Sequence, residues 1–165
     1  MNHAIRDVFV FDDGGRQAAG FRGRTGDCVV RSIAIVSGTP YRDVYQRLFA
    51  LAKRAIDQPY RNAHEELFAL THAHETTTRA HCSPRNGVSR AIYEPYLLDF
   101  GYLWTPTMSI GSGCRVHLRR EELPPGRLIV QLSRHLTAVI DGIVHDTVDC
   151  SRGGKRCVYG YYKKG

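Results

Sequence analysis

Three residues have the types and local settings that covalent chemistry at a carbonyl requires: Cys28, His135 and Asp146. Cys28 opens "CVVRSIAIVSG", where Val29, Val30, Ile33, Ala34 and Val36 cover much of a helix surface, so a centrally buried helix is expected. A thiol at a helix start meets free N–H groups and the positive end of the dipole, and both favour the thiolate. His135 opens the strand-like run "HLTAVI", and Asp146 closes the run "IVHD". An imidazole can generate a thiolate and pair with it, while a carboxylate can fix the tautomer of the ring and stabilise its cation.

The positioning elements follow from turn and periodicity signals. Asp141-Gly142 lies between two alternating runs and predicts a type I′ hairpin, whose two central residues need positive φ. That turn pairs Ile140 with Ile143, Val139 with Val144, Thr137 with Asp146 and His135 with Val148. Alternation then puts His135, Thr137, Val139, Val144 and Asp146 on one face, with Asp146 the diagonal neighbour of His135. Leu136, Ala138, Ile140 and His145 take the other face. The helix after Cys28 has a start signal in Asp27 or Thr25 and a stop signal in Gly38. Thr39-Pro40 introduces a second helix with the apolar stripe Val44, Leu48, Leu51 and Ala55. "DVFVFDD" reads as a short strand, "RNGVSRAIYEPYLLDFG" as a helix strained by Pro95, and "YLWTPTM" and "RLIVQLS" as strands. The last run, "RCVYGYYKK", reads as an edge strand because of its lysines. Helices followed by an antiparallel sheet make an α+β domain.

The 165 residues, 42% hydrophobic and 24% charged, fit one domain over 1–165 with a single core. No apolar run approaches the roughly 20 residues that span a bilayer, and no secretory signal opens the chain, so the expectation is no membrane partner and a cytoplasmic site of action. The net charge of +7 permits an acidic partner. The arginines are scattered and match no nucleic-acid recognition motif, so a basic solvated surface is the plainer reading. The five cysteines, at 28, 82, 114, 150 and 157, show no CxxC pair and no scaffold spacing, so most are expected to be free thiols. His64, His72, His74, His81 and Cys82 are potential zinc ligands. They lack a second regularly spaced pair, so the segment reads as a solvated loop, or a flap over the site, and no metal is expected. "GSGC" (111–114) is a tight glycine turn that could admit substrate backbone or serve as a plain turn. Tyr159, Tyr161 and Tyr162 beside Lys163 and Lys164 could stack bases, or finish a sheet edge.

"GDCVVRSIAIVSG" together with "RHLTAVIDGIVHDT" resembles the papain-like cysteine peptidase superfamily, in the style of its small bacterial branches such as bacteriocin-leader peptidases and NlpC-type amidases. The chain as a whole is also similar to uncharacterised proteins of phages and proteobacteria. The superfamily resemblance rests on about a third of the chain. It implies a papain-like fold, N-terminal helices on a C-terminal antiparallel sheet, with no cofactor and a peptide or protein substrate. It also implies Cys28 as nucleophile, His135 as general base and acid, and Asp146 as orienter. Many relatives carry a glutamine about six residues before the cysteine, as an oxyanion donor. Here that position is Arg22, and the nearest upstream glutamine is Gln17. The oxyanion donors would then be the Cys28 N–H with Arg22, Arg24 or Thr25. Asp27 would raise the Cys28 pKa unless it is turned away as a cap. The alternative expectation is a non-catalytic papain-like module of a phage or bacterium, binding a host protein or nucleic acid.

Overall fold

The apolar run after Cys28 forms helix α1 (Cys28–Ser37) with Val29, Val30, Ile33, Ala34 and Val36 all buried, in a computed structural model that describes residues 9–24, 26–57 and 82–165. Gly38 ends α1 in the left-handed conformation at φ 72°, its N–H donating to the Ala34 carbonyl. Helix α2 (Tyr41–Asp57) follows and buries Val44, Leu48 and Ala52 against α1. Helix α3 (Arg90–Asp99) carries Pro95 and still buries Ile92, Tyr93, Tyr96 and Leu97. The histidines at 64, 72, 74 and 81, with the loop or flap expected around them, and Thr25 lie outside the described residues.

Strands β1 (Phe9–Phe11), β4 (Tyr102–Pro106), β5 (Arg127–Leu132), β6 (His135–Ile140), β7 (Ile143–Asp146) and β8 (Gly160–Lys164) form one sheet in the order β1-β7-β6-β5-β8-β4. A two-stranded ribbon of β2 (Cys82–Ser83) and β3 (Gly87–Val88) stands apart from it. The domain is therefore α+β. Two expectations about the sheet need correction. It is mixed rather than antiparallel, because β1 runs parallel to β7, with Phe9 opposite Val144. And β8 is not an edge: it lies between β5 and β4, with Tyr162 fully buried. Lys163 and Lys164 mark only the solvent-exposed end of that strand.

Core forms on both sheet faces. Ile129, Leu136, Ala138 and Tyr162 pack with the helices. Leu128, Val130, Leu132, Val139 and Val144 pack with Leu118, Leu123, Cys150 and Val158 on the far side. A buried polar knot fastens α3 to β8: Glu94 accepts from Arg90 at 2.7 and 3.1 Å and from the Tyr162 hydroxyl at 2.8 Å. Arg90 also lies over the Trp104 ring at 4.2 Å. A third correction concerns the thiols. Cys114 and Cys157 form a disulfide, while Cys28 and Cys150 are free. The antiparallel bridge between His117 and Cys157 brings the two segments together, a long-range pairing that cysteine spacing does not encode. Among the described residues no helix is long and apolar enough to cross a membrane.

The hairpin that carries the candidate acid has the expected register, with Ile140 opposite Ile143 and Val139 opposite Val144. Asp141 and Gly142 have φ of 49° and 81°. The Asp141 carboxylate also accepts from the Gly126 N–H at 2.8 Å, tying the turn to the start of β5. A Cβ on Gly142 would fall 2.8 Å from Arg120 Cβ and 2.9 Å from its Cα, on top of the unfavourable φ. Gly142→Ala is expected to destabilise the domain by about 1–3 kcal/mol in urea unfolding. Gly101→Ala shares a positive φ of 80° but meets nothing within 4 Å, so it isolates the backbone cost and should lose less.

Candidate functional site

Cys28 is the first residue of α1 and is half-buried. The first intrahelical hydrogen bond at this end runs from the Arg31 N–H to the Asp27 carbonyl at 3.1 Å, so the N–H groups of Cys28, Val29 and Val30 precede it. His135 is delivered by the β5–β6 hairpin, in which Leu132 pairs with His135 across Ser133-Arg134. Asp146 ends β7, held from the other side by the Asp12 N–H, which donates to its carbonyl at 2.9 Å. The β6–β7 ladder stops at Ala138–His145, so the expected Thr137–Asp146 and His135–Val148 pairs are not part of it. The site therefore assembles where the strands diverge at their ends.

The structure brings the three side chains together. His135 Nε2 donates to Asp146 Oδ2 at 2.7 Å, which leaves Nδ1 for the sulfur. Cys28 stands close enough to the same ring for His135 to favour its thiolate. Burial opposes the Cys28 thiolate, but the hydrogen bond and charge of His135, the Leu136 backbone and the Arg31 cation outweigh it, so the thiol titrates below its usual range. Burial likewise opposes the imidazolium. Hydrogen bonds to Asp146, Cys150 and Cys28 and the thiolate charge outweigh it and push His135 up to about 11. Asp146 is also buried, yet His135, the Thr147 N–H and Arg31 hold its carboxyl below the ordinary carboxylate range. These directions describe a thiolate–imidazolium pair with an ionised acid behind it.

Asp27 does not cap α1, because its side chain makes no cap hydrogen bond. The carboxylate is turned inward, where Arg16 Nε pairs with it at 2.9 Å, the Tyr41 hydroxyl donates to it at 2.6 Å and Arg31 Nη1 bonds to Oδ1. Arg31 then reaches across to Asp146 Oδ1 with Nη2 at 3.2 Å. One buried guanidinium thus joins the residue before the nucleophile to the acid behind the histidine. The signal for it lay in plain view, as the sole charged residue in an apolar helix, three positions after Cys28. Cys150 is the second residue that sequence reasoning missed. It is buried, with its sulfur within 4.8 Å of a His135 ring nitrogen, but sits in a loop with no periodic pattern to place it. Asp149, the next acid along the chain, is exposed and accepts from the Ser151 N–H at 2.9 Å in a local turn.

Of the oxyanion candidates, Cys28 offers its N–H at the helix start. Arg22 and Arg24 are exposed, and among the described residues neither guanidinium is bonded to the site. The Arg22 carbonyl accepts from Arg16 and Arg85 instead, fixing the loop backbone that leads to Cys28. His135, Asp146 and Cys150 each place one donor atom within 4.8 Å of the others, a set chemically suited to zinc. Asp146 already accepts from His135, Thr147 and the Arg31 cation, which commits both its oxygens to other partners.

No family model, curated protein or solved structure matches the chain.

Two outcomes follow from the geometry. Iodoacetamide should alkylate Cys28 at pH values well below the free-thiol pKa of about 8.5. In His135→Ala that acid limb should disappear, read by peptide mass spectrometry across a pH series. Arg31→Met strips the cation from two buried carboxylates and should cost about 3–5 kcal/mol of stability at neutral pH in urea titrations. Asp146 has a lowered pKa, so its pairing stabilises the fold above the ordinary carboxylate range and is lost as pH falls through its native pKa. The deficit of Arg31→Met should therefore shrink in acid.

Proposed function

We propose that this chain is a papain-like thiol hydrolase acting on an amide, peptide or isopeptide bond. One observation carries the reading: a thiol at the start of a buried helix, reached by an imidazole whose far nitrogen is bonded at 2.7 Å to a buried carboxylate. The thiolate of Cys28 attacks the carbonyl carbon. His135 Nδ1, protonated in the ion pair, delivers its proton to the leaving amine as the C–N bond breaks and the thioester remains. His135 then takes a proton from water, whose oxygen attacks the thioester and releases the acid and the thiol. Asp146 holds the ring through Nε2 and balances its charge. Arg31 fixes Asp146 and turns Asp27 away from the sulfur. The developing oxyanion faces the Cys28 N–H and the positive end of α1.

The test uses p-nitrophenyl acetate, with intact-mass measurement of the protein. Wild type should release about one equivalent of nitrophenolate in a burst and gain one acetyl group on Cys28, followed by turnover. Cys28→Ala should give neither, and His135→Ala should acylate about 10²–10⁴-fold more slowly. A wild-type protein that acylates no faster than His135→Ala would sink the proposal.

A further inference from the structure

A cavity of about 600 Å³ lies at the Ser133-Arg134 turn that leads into His135 and is lined by Ser133, Arg134, Arg152, Lys155, Arg156 and Tyr159, with Cys157. Four of these residues are cationic and none is acidic. Arg134, Arg152 and Lys155 are exposed, and among the described residues none of the three is ion-paired with an acid. A second observation is independent of charge. Arg134 and Arg152 have φ of 55° and 54°, and Asp141 in its hairpin turn is the sole other non-glycine residue with positive φ among the described residues. Such backbone disfavours an arginine, and strain of this kind gathers where side chains must be aimed. Arg156 fixes the wall between them, donating to the Ser133 carbonyl at 2.7 Å and to the Cys150 carbonyl at 3.5 Å. Those carbonyls belong to the residue two before His135 and to Cys150, whose sulfur lies within 4.8 Å of a His135 ring nitrogen.

We infer that this cavity is a subsite for acidic side chains of a peptide substrate, next to the scissile bond. The inference rests on the hydrolase reading for its place in catalysis and on charge and shape for its binding. The volume is that of a cleft for a small-molecule-sized ligand, with room for acidic side chains and the peptide segment that carries them. Forked guanidinium groups match carboxylates in pairs. The cations converge in one concavity and do not run as a stripe that would track a nucleic-acid backbone. Gln131 and Leu132 lead from the core strand into the Ser133-Arg134 turn, so the cavity is bordered by the two residues that immediately precede His135 in the chain.

Fluorescein-labelled hexaglutamate and hexaglutamine peptides, titrated by fluorescence anisotropy into Cys28→Ala, test the binding. Hexaglutamate should bind more tightly, with an affinity that falls as salt rises. Arg134→Asn with Arg152→Asn keeps residues that accept positive φ and should weaken hexaglutamate binding roughly tenfold. Lys155→Gln, on an unstrained exposed side chain, should weaken it roughly threefold even if the double variant folds poorly. Lys53→Gln, on the exposed side of α2, should change nothing. Equal binding of the two peptides, or indifference to Lys155→Gln, overturns the subsite, as does a dT12 oligonucleotide that outcompetes hexaglutamate. The two readings fail separately. Hexaglutamate binding without acylation of Cys28 in wild type keeps the subsite and removes the hydrolase. Acylation of Cys28 with no preference for acidic peptides does the reverse.

Discussion

The guanidinium of Arg31 is the constraint on which the rest of the site depends. It is a charge in the interior of a domain, seated on a helix that is otherwise apolar, and it is tolerable there only because two carboxylates meet it. Those carboxylates come from opposite ends of the molecule's sequence, one beside the thiol and one at the end of β7. Satisfying Arg31 therefore fixes how the N-terminus of α1 stands against the sheet. The sulfur, one residue from Asp27, takes its place relative to the ring as a consequence. Arg16 and Tyr41 complete the shell around Asp27, so the negative charge nearest the sulfur in sequence is spent on cations and a hydroxyl and does not repel a thiolate.

Burial resists ionisation of each of the three central side chains, and each is biased toward its charged form by another. The imidazolium is supported by a carboxylate on one side and sulfur on the other, the thiolate by the imidazolium and Arg31, and the carboxylate by both cations. Such mutual support is cooperative and brittle: removing one partner leaves the others in a low-dielectric setting with an uncompensated charge. Cys150 adds a polarizable neighbour beside the same ring.

Local signals in the sequence carried a large part of the fold and of the site's geometry. The Asp141-Gly142 turn was legible because only positive φ at both positions gives a tight, correctly twisted hairpin, and that turn sets the register leading to Asp146. Gly38, Pro40 and the spacing of apolar residues placed α1 and α2 for similarly local reasons. What could not be read was long-range. The parallel docking of β1 on β7, the central place of β8 and the Cys114–Cys157 bridge each join segments whose own patterns do not name their partner. The lysines of β8 misled because they belong to the strand's end, whereas Tyr162 two positions into the core decides where the strand lies. Strict alternation along β6 and β7 was likewise insufficient, since the ladder stops short of both His135 and Asp146.

The pairing of β1 with β7 has a consequence for the order in which the protein comes into being. Phe9 and Phe11 lie beside Val144 and Asp146, so strands from near the two ends of the chain are neighbours in the finished sheet. Ribosomes deliver Cys28 early and His135, Asp146 and Cys150 late. Until the last strands emerge and close around α1, the sulfur lacks the ring and the carboxylate that stand beside it in the finished domain. The ring, the carboxylate and the sulfur therefore meet only when the sheet is complete.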